Sequence, residues 1–449
     1  MSVTFIIKAS EAQGRRLDPE YHHALRNARV KSSYPTAKLL SLSYFRTGGT
    51  PSTAHPEYWN GSIPWVSAKD FKAFRFEDSE DHVTELALAE STTCYVNRPA
   101  VLMVSRSGIL QHTLPVMVTH KPTTINQDIK AFFPDDRVSV DYLGAFFDVF
   151  GSRLLPLVCK SGATVQSLNT EQLMDLSIPL PPLSEQRKIV AELDAAYAAK
   201  RAADEKATKL LASIDNMVLN ELGIAKLPNP DTSLSSRMFI VSAKEVHNDR
   251  LDPIAYQPTR RQFYKNVREG TYETVRLGEV VDVDRCQTDS LDGLTYVGLE
   301  NINGSDGTYS PTGEKESIST AVLFRKGEIL FPKLRPYLNK VWLADFAGAA
   351  STEFFPLIPK GVTPEYLIVY LRLTQVAKVM TLLMTGNTLP RVQLEDVLSL
   401  PVPIPPRPVQ DRIASTASFI RSEARKLKAD ATAALDAAKI VIERRLVEE

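Results

Sequence analysis

Apolar and small residues recur in steps of four and three along two long stretches of the chain. The first stretch runs without proline or glycine from 184 to about 222, and the second runs from about 409 to 447. Each predicts a helix of roughly 39 residues, or about 58 Å at 1.5 Å per residue. The predicted seam positions are Ile189, Leu193, Ala196, Lys200, Ala203, Ala207, Leu210, Ile214 and Met217 in the first helix, and Ile413, Ala417, Ile420, Ala424, Leu427, Ala431, Ala434, Ala438 and Val441 in the second.

Heptad spacing held over this length is typical of a coiled coil. Since one chain supplies both helices, we expect them to pair antiparallel, with one globular domain at each end. The alternative is that each helix packs only on its own domain. The segments before each helix carry β-branched and aromatic runs broken by turn residues, which predict strand-rich domains with a few helices. The predicted strands include 3–7, 101–110, 275–283 and 294–299, and the predicted helices include 141–150 and 364–384.

The Pro-rich run before each helix is present twice. Residues 161–189 align with residues 385–413 without a gap, at an offset of 224. The offset superposes Gly162 and Gly386, Thr164 and Thr388, Pro179 and Pro403, Gln186 and Gln410, and Ile189 and Ile413. The domain starts at 3–19 and 237–253 are also alike, whereas the interiors diverge. We therefore predict a pseudo-twofold tandem repeat with two domains (1–183 and 237–407), two helices (184–223 and 408–449) and a linker at 224–236.

Composition is that of an ordinary globular chain of more than one domain. The 449 residues exceed the usual size of a single core. The 53 basic residues balance 53 acidic ones, which argues against nonspecific coating of a polyanion but leaves local basic faces possible. The three cysteines are isolated, which argues against a disulfide framework. No run of about 18–20 apolar residues is present, so we expect a cytoplasmic location without membrane contact.

Several motifs resemble the specificity subunits of type I restriction–modification enzymes. They are Gly48-Gly-Thr-Pro51 with Tyr58-Trp-Asn-Gly-Ser-Ile-Pro-Trp-Val66, Ile125-Asn-Gln-Asp-Ile129, Lys333-Leu-Arg-Pro-Tyr-Leu-Asn-Lys-Val341, Ser351-Thr-Glu-Phe354, and Pro179-Leu-Pro-Pro-Leu-Ser-Glu-Gln-Arg-Lys-Ile189. The resemblance covers nearly the whole chain. The second Pro-rich run departs from the pattern, because Arg407-Pro-Val-Gln-Asp-Arg replaces the expected Leu-Ser-Glu-Gln.

The resemblance implies a mixed α/β fold in which two strand-rich target-recognition domains are joined by two long antiparallel coiled-coil helices. It implies that each domain reads one half of a split double-stranded DNA target and that the helices set the unread spacer. It also implies two methylation subunits, which carry S-adenosylmethionine and make adenine-N6 methyltransferase activity, and two restriction subunits, which need ATP and Mg²⁺. No cofactor is expected on this chain itself.

Candidate DNA contacts are basic, amide and glycine residues in predicted loops. They are Gly48, Gly49, Thr50, Lys69, Ser105, Arg106, Asn126 and Gln127 in the first half, and Lys333, Arg335, Tyr337 and Lys340 in the second. Each has an ordinary alternative: a tight turn for the glycines, structural amides for Asn126 and Gln127, and a solvated basic segment for the second set. Arg106 interrupts an apolar strand, so it needs either a carboxylate or DNA as a partner.

No catalytic or metal motif is found, since neither a phosphate-binding Gly-rich loop nor an Asn-Pro-Pro-Tyr tetrapeptide occurs. The leading hypothesis is therefore a non-catalytic DNA-recognition and assembly subunit. The alternatives are a self-sufficient methyltransferase or nuclease, and a coiled-coil adaptor that binds no DNA. Candidate residues of the spacer helices and of subunit docking are Gln186, Ile189, Leu193, Leu210, Ile214, Gln410, Ile413, Ile420 and Leu427.

Overall fold

The computed structural model describes residues 32–160, 165–228, 233, 238–241, 256–312, 320–386 and 388–447. The strand predicted at 3–7 and parts of the linker predicted at 224–236 lie outside these residues. Among the residues described, no helix is long and apolar enough to cross a membrane.

The chain divides into two compact units. Unit 1 comprises Met1–Ala202 with Ala429–Glu449, and unit 2 comprises Ala203–Lys428. The division falls within both long helices rather than at their ends, where the sequence had suggested domain boundaries. Each unit therefore contains one half of each helix.

Unit 1 has twelve described strands. They are β1 (Thr36–Lys38), β2 (Ser43–Thr47), β3 (Trp59–Val66), β4 (Asp81–Val83), β5 (Cys94–Val96), β6 (Ala100–Val104), β7 (Val116–Thr119), β8 (Thr123–Ile125), β9 (Ile129–Pro134), β10 (Cys159–Lys160), β11 (Ser167–Leu168) and β12 (Ser177–Pro179). Its described helices are α1 (Leu39–Leu42), α2 (Glu85–Glu90), α3 (Val140–Val158), α4 (Thr170–Met174) and the first half of α5 (Leu183–Leu222). The strand predicted at 101–110 ends at Val104, before Arg106.

Unit 2 has ten described strands. They are β13 (Thr274–Arg276), β14 (Val281–Val283), β15 (Gln287–Thr288), β16 (Tyr296–Val297), β17 (Ala321–Phe324), β18 (Ile329–Pro332), β19 (Trp342–Leu343), β20 (Gly348–Ser351), β21 (Phe354–Pro359) and β22 (Pro401–Pro403). Its other described helices are α6 (Pro258–Arg268), α7 (Leu277–Val280), α8 (Pro364–Leu371), α9 (Thr374–Leu382), α10 (Leu394–Leu398) and the first half of α11 (Arg407–Leu446). One helical turn, α7, splits the strand predicted at 275–283, and a break at Arg372 splits the helix predicted at 364–384.

The two units share one sheet plan. An antiparallel sheet has the order β2-β9-β6-β7 in unit 1 and β14-β21-β18-β19 in unit 2. A second sheet contains a parallel pair, β3 with β8 or β16 with β20, flanked by an antiparallel neighbour. The predicted tandem repeat of mixed α/β domains is therefore confirmed at the level of strand order.

Each long helix is locked to the domain before it by a buried glutamine. Gln186 Oε1 accepts a hydrogen bond from the Ser139 backbone N–H at 2.9 Å, and its Nε2 donates to the Pro181 carbonyl at 3.0 Å. At the same offset of 224, Gln410 Oε1 accepts from Thr363 N–H at 2.9 Å and Nε2 donates to the Pro405 carbonyl at 2.9 Å. These bonds satisfy a backbone donor at a helix N-terminus, which otherwise has no partner within its own helix.

A buried tyrosine repeats in the same way. The Tyr142 hydroxyl donates to the Pro179 carbonyl at 2.8 Å, and the Tyr366 hydroxyl donates to the Pro403 carbonyl at 2.7 Å. Both tyrosines are fully buried. The Pro-rich run is therefore held against the first turn of α3 or α8 before the long helix begins.

The predicted antiparallel pairing of α5 and α11 is confirmed. In unit 1 both Arg445 guanidinium nitrogens, near the end of α11, bond the Glu192 carboxylate near the start of α5, at 3.1 and 3.0 Å. In unit 2 the Arg412 guanidinium, near the start of α11, bonds Glu221 near the end of α5 at 2.7 Å. The alternative of helices that pack only on their own domains is wrong, because Leu435, Ile442 and Leu446 share the unit 1 core with Ile189 and Leu193.

The heptad register is wrong toward the end of α11. Ala434 is exposed and the Val441 side chain is 54% exposed, whereas the adjacent Leu435 and Ile442 are buried. The buried positions include a series spaced by eleven residues, Ile413, Ala424, Leu435 and Leu446, with Ala417 and Ile442 also buried. Eleven residues in three turns is about 3.67 residues per turn, close to the 3.6 of a straight helix. A strict heptad pattern therefore drifts off the packed face.

Candidate nucleic-acid interface

The loop that follows β6, which we call the first post-strand loop (105–112), is held by one acidic residue. The Ser105 N–H and hydroxyl both donate to the Asp128 carbonyl, at 2.7 and 2.9 Å. Arg106 Nε donates to Asp128 Oδ1 at 2.8 Å, and the Leu168 N–H donates to the Ser105 carbonyl at 2.8 Å. The partner that Arg106 requires is thus a carboxylate. The Arg106 side chain is still 58% exposed, so the rest of its guanidinium can reach another acceptor.

The loop that follows β18, the second post-strand loop (333–340), has the same anchor. The Lys333 N–H donates to the Glu353 carbonyl at 2.8 Å, and the Val392 N–H donates to the Lys333 carbonyl at 3.0 Å. Here the carboxylate of Glu353 is held by Arg391 through Nε and Nη2, at 2.8 and 2.7 Å. The hydrogen bonds from Arg391 lower the pKa of Glu353. Residues 105, 128 and 168 thus match 333, 353 and 392.

Each post-strand loop contains one short 3-10 turn. In the second loop the turn spans Pro336–Leu338 between Arg335 and Asn339, whose φ values are +51° and +52°. Left-handed backbone at two residues other than glycine is uncommon and is often associated with function. The conformation leaves Arg335 exposed and the Tyr337 side chain 52% exposed. In the first loop the turn spans Gly108–Gln111.

Buried Arg372 holds the second post-strand loop from behind. Its Nη1 donates to the carbonyls of Asn339 and Val341 at 2.7 and 2.8 Å, and its Nη2 donates to the Gly304 carbonyl at 2.8 Å. Asn339 returns a hydrogen bond from Nδ2 to the Arg372 carbonyl at 2.7 Å. Burial lowers the pKa of Arg372 to about 9, which still leaves it charged near neutral pH. The buried guanidinium of Arg372 therefore fixes the conformation of the second post-strand loop without being exposed to solvent.

The four candidates of the second half divide into two pairs. The Lys333 ammonium lies 4.6 Å from the centre of the Phe355 ring, and burial lowers its pKa. Lys340 Nζ donates to the Leu299 carbonyl at 2.7 Å. These two lysines support the loop, whereas Arg335 and Tyr337 are the members that it presents to solvent.

The Gly-Gly segment packs beside the first post-strand loop. A Cβ on Gly48 would lie 1.8 Å from the Ile125 carbonyl oxygen, and one on Gly49 would lie 2.4 Å from Thr92 Oγ1. Gly49 N–H donates to the same Ile125 carbonyl at 3.1 Å. Close approach to a strand backbone therefore explains both glycines. The exposed Thr50 hydroxyl donates to Gln127 Oε1, which brings this segment to the loop that holds Asp128.

Asn126 and Lys69 have structural partners. Asn126 is 7% exposed, and its Oδ1 accepts from the Asp128 N–H at 3.0 Å, so it shapes a turn. Lys69 lies apart from the Asp128 cluster in its contacts, since its ammonium bonds Asp81 at 2.8 Å and Glu80 at 3.3 Å. In unit 1 the exposed polar groups of the cluster are therefore Thr50, Arg106 and Gln127.

Most of the helix candidates face the protein's own cores. Gln186, Ile189, Leu193, Ile214, Gln410 and Ile413 are buried, and Leu210, Ile420 and Leu427 are partly buried. The six buried residues pack within the chain. The assignment of all nine residues to the spacer helices and to subunit docking stays a prediction.

Sequence reasoning missed the residues that hold the loops, namely Asp128, Glu353, Arg372 and Arg391. The repeat contained a signal for the first two. Asn126-Gln-Asp128 and Ser351-Thr-Glu353 each precede an apolar run that ends in proline, and this similarity pairs Asp128 with Glu353. The sequence did not indicate that Arg372 is buried, because a basic residue after an apolar helix usually lies in solvent.

The comparisons with known proteins agree with this arrangement. The type I restriction modification DNA specificity domain matches residues 34–209 and 269–428. The chain belongs to this family. The two matched ranges correspond to the two repeats, and the prediction of a DNA specificity subunit is confirmed over that of a self-sufficient enzyme.

Relatives of this specificity subunit cover it to different extents. It is 39% identical over 148 residues to the EcoR124I/EcoR124II specificity subunit of Escherichia coli, which is 33% of this chain and 37% of that one. It is 22% identical over 408 residues to the MjaIX specificity subunit of Methanocaldococcus jannaschii, with 86% of each chain covered. A solved S subunit from M. genitalium aligns over 93% of this chain and 97% of its own, with 11% identity and a TM-score of 0.40.

The described residues contain no group of three or more His, Cys, Asp or Glu side chains that could hold a metal ion.

Proposed function

We propose that this specificity subunit recognises a split double-stranded DNA target, with one half read by each unit. The observation that carries the proposal is the pair of post-strand loops. Both are anchored by the same backbone bonds to an acidic residue, yet one presents Arg106 and the other presents Arg335 and Tyr337. Equivalent supports with unlike exposed side chains fit two half-sites of different sequence.

The exposed groups are suited to base edges in the major groove. An arginine can donate two hydrogen bonds to guanine O6 and N7, and a glutamine can bond adenine N6 and N7. Arg106 is suited to the first role, with Gln127 beside it for the second. Arg335 is the corresponding group of unit 2, and Tyr337 adds a hydroxyl and an apolar ring. Because the chain has no net charge, nonspecific phosphate attraction contributes little of its own.

The proposal extends to an assembly. Two methylation subunits would bring S-adenosylmethionine for adenine-N6 methylation, and two restriction subunits would bring ATP and Mg²⁺. This chain would bind none of these cofactors, and the complex would work in the cytoplasm. The paired helices α5 and α11 would fix the number of unread bases between the half-sites, since a helix of 40 residues is about 60 Å long.

The test is to determine which DNA sequence motif becomes methylated in cells that express this chain with its methylation subunit. Arg335→Ala is expected to relax one half of the motif and Arg106→Ala the other half. A lost bidentate contact costs about 1–3 kcal/mol of discrimination, or roughly 5- to 150-fold. Lys265→Ala, which removes an exposed lysine on α6, is the control and should leave the motif unchanged. Identical motifs in all four strains would refute the assignment.

A second test addresses the spacer. Insertion of one helical turn at matched positions of α5 and α11 is expected to lengthen the unread spacer while both half-sites stay the same. An unchanged spacer in a stable, methylating variant would contradict the role of the helices. Loss of all sequence preference would instead favour an adaptor that takes its DNA contacts from other subunits.

A further inference from the structure

A polar cluster joins α11 to the domain of unit 1. The Asp148 carboxylate, on α3, accepts a hydrogen bond from the Tyr197 hydroxyl at 2.8 Å and from Lys439 Nζ at 3.0 Å. The Lys439 ammonium also lies 5.3 Å from the centre of the Tyr197 ring. The side chains of Asp148 and Lys439 are only 16% and 23% exposed, so this pair is screened less than a surface pair. We call these three residues the first junction.

Two of these three positions carry the opposite charge in unit 2. At the offset of 224, Asp148 corresponds to Arg372, Tyr197 to Arg421, and Lys439 to Asp215 of α5. Arg372 is 7% exposed, and the carboxylate of Asp215 partly offsets the effect of burial on its pKa. Asp215 Oδ2 accepts a hydrogen bond from the Thr374 N–H at 3.1 Å. We call Arg372, Arg421 and Asp215 the second junction. Here the residue of the domain is basic and the residue near the end of α5 is acidic.

One further position near the helix end also reverses its charge. Arg445, near the end of α11, bonds Glu192 at 3.0 Å and Glu185 at 3.4 Å in unit 1. Its equivalent at the offset of 224 is Glu221, near the end of α5, which bonds Arg412 at 2.7 Å in unit 2. At these two positions the final third of α11 is therefore basic and the final third of α5 is acidic. Glu443 of α11 makes a separate ion pair with Arg153 of α3 at 2.8 Å.

The reversal matters because the other docking features are the same in both halves. The hydrogen bonds of Gln186 and Tyr142 repeat at Gln410 and Tyr366, at the offset of 224. They attach the start of a long helix in the same way in both units. The end of each long helix lies in the unit that does not contain its start, so selective pairing depends on the contacts made there. If α5 of a second chain replaced α11 on unit 1, Asp215 would face Asp148. Glu221 would face Glu192 on the same helix as Lys188, which is the equivalent of Arg412 at the offset of 224. The like charges of Asp215 and Asp148 oppose the exchange.

The replacement of α5 by a second α11 on unit 2 is opposed in the same way. Lys439 would then face Arg372 and Arg421, and Arg445 would face Arg412. Pairing of α11 with its own copy thus places like charges together at two positions, and pairing of α5 with its own copy does so at Asp215 and Asp148. The pairing of α5 with α11 places opposite charges together at every one of them.

We propose that these reversed charges direct α5 to pair with α11 of its own chain and exclude a second copy of the same helix. A tandem duplicate needs such a device, because its two halves are otherwise similar enough to exchange between chains. The proposal concerns assembly of the chain alone and is independent of how DNA is read.

The experiment exchanges the charges between the helices in the full-length chain. The variant Asp215→Lys, Glu221→Arg, Lys439→Asp and Arg445→Glu has the composition and net charge of the original protein. Pairing of α5 with α11 becomes like-charged at all four positions, while pairing of each helix with its copy in a second chain becomes complementary. The original protein is expected to have the mass of one chain by size-exclusion chromatography with light scattering, and the variant the mass of two chains.

The control exchanges two charges per helix at exposed positions, as Lys206→Asp and Lys209→Asp with Asp411→Lys and Asp430→Lys. It should keep the mass of one chain. A four-residue variant that also keeps the mass of one chain would overturn the proposal, and so would a variant that unfolds without forming a two-chain particle. Cross-linking between differently tagged chains of the variant, absent from the control, would support it.

Discussion

Replacement of the buried glutamine locks by methionine should loosen the start of each long helix. Gln186→Met keeps a side chain of similar length and volume, so little cavity is created. It removes the acceptor of the Ser139 N–H and the donor to the carbonyls of Arg137 and Pro181. The Gln186 side chain is fully buried, so water cannot replace these bonds without local opening.

The magnitude follows from the groups left unpaired. An unsatisfied buried donor costs about 1–3 kcal/mol, and carbonyls that keep other partners lose less. Gln186→Met is therefore expected to lower the free energy of local opening by about 2–4 kcal/mol. Gln410→Met removes one bond fewer, because its Nε2 donates only to the Pro405 carbonyl, and about 1–3 kcal/mol is expected there.

The assay is amide hydrogen exchange, because a protein with two units has no single free energy of unfolding. The amides of Ser139 and Thr363, which donate to the two glutamines, should exchange roughly 30- to 800-fold and 5- to 150-fold faster in the respective variants. Lys188→Met, at an exposed position two residues after Gln186, is the matched control and should change neither. Unchanged protection of Ser139 in Gln186→Met would refute the lock.

Three further predictions test individual buried groups. Glu328 is 4% exposed, and burial raises its pKa. The folded state therefore holds this proton more tightly than the unfolded chain, and ionisation of Glu328 destabilises the fold as pH rises. Glu328→Gln should raise the free energy of opening of unit 2 by about 1 kcal/mol at neutral pH, measured by amide hydrogen exchange, and the gain should disappear below pH ~4.5. Tyr366→Phe should cost about 1–2 kcal/mol in the same measurement through loss of the bond to Pro403. Arg372→Met should speed amide exchange across 333–340 roughly tenfold or more, since three carbonyls lose one donor group; equal exchange in the two proteins would contradict its anchoring role.

The repeat made the scaffold predictable from sequence, because the residues that set it are local and chemically distinctive. Two prolines before each helix and a glutamine one turn later reappear at one offset, and the structure gives them the same bonds. The helix register was harder to predict. Alanine occurs at both buried and exposed positions of α11, so residue type alone does not show which position faces the core. The heptad pattern selected Ala434, which is exposed, instead of Leu435, which is buried.

The candidate interface was predicted less well, because the side chains that define it act over long sequence separations. Arg106 lies 22 residues before its partner Asp128. Glu353 lies 38 residues before Arg391. A single sequence does not reveal which distant carboxylate meets which guanidinium. It does favour exposed arginines in loops after apolar strands. This is why Arg106 and Arg335 were predicted as candidates, whereas the residues that hold their loops were missed.

The two anchors show how a duplicated scaffold can carry different exposed groups. The backbone hydrogen bonds at residues 105 and 333 are the same. The arginine that pairs with the acidic side chain beneath each loop, however, comes from a different segment in each unit. Asp128 takes it from Arg106 within the loop itself, whereas Glu353 takes it from Arg391 on a separate segment and leaves Arg335 unengaged by a carboxylate among the described residues. The ion pair of the partly buried acidic residue is therefore separable from the identity of the residue that the loop exposes. The exposed side chains of a post-strand loop can therefore change while the acidic residue that anchors the loop remains paired and the strands of the sheet keep their register.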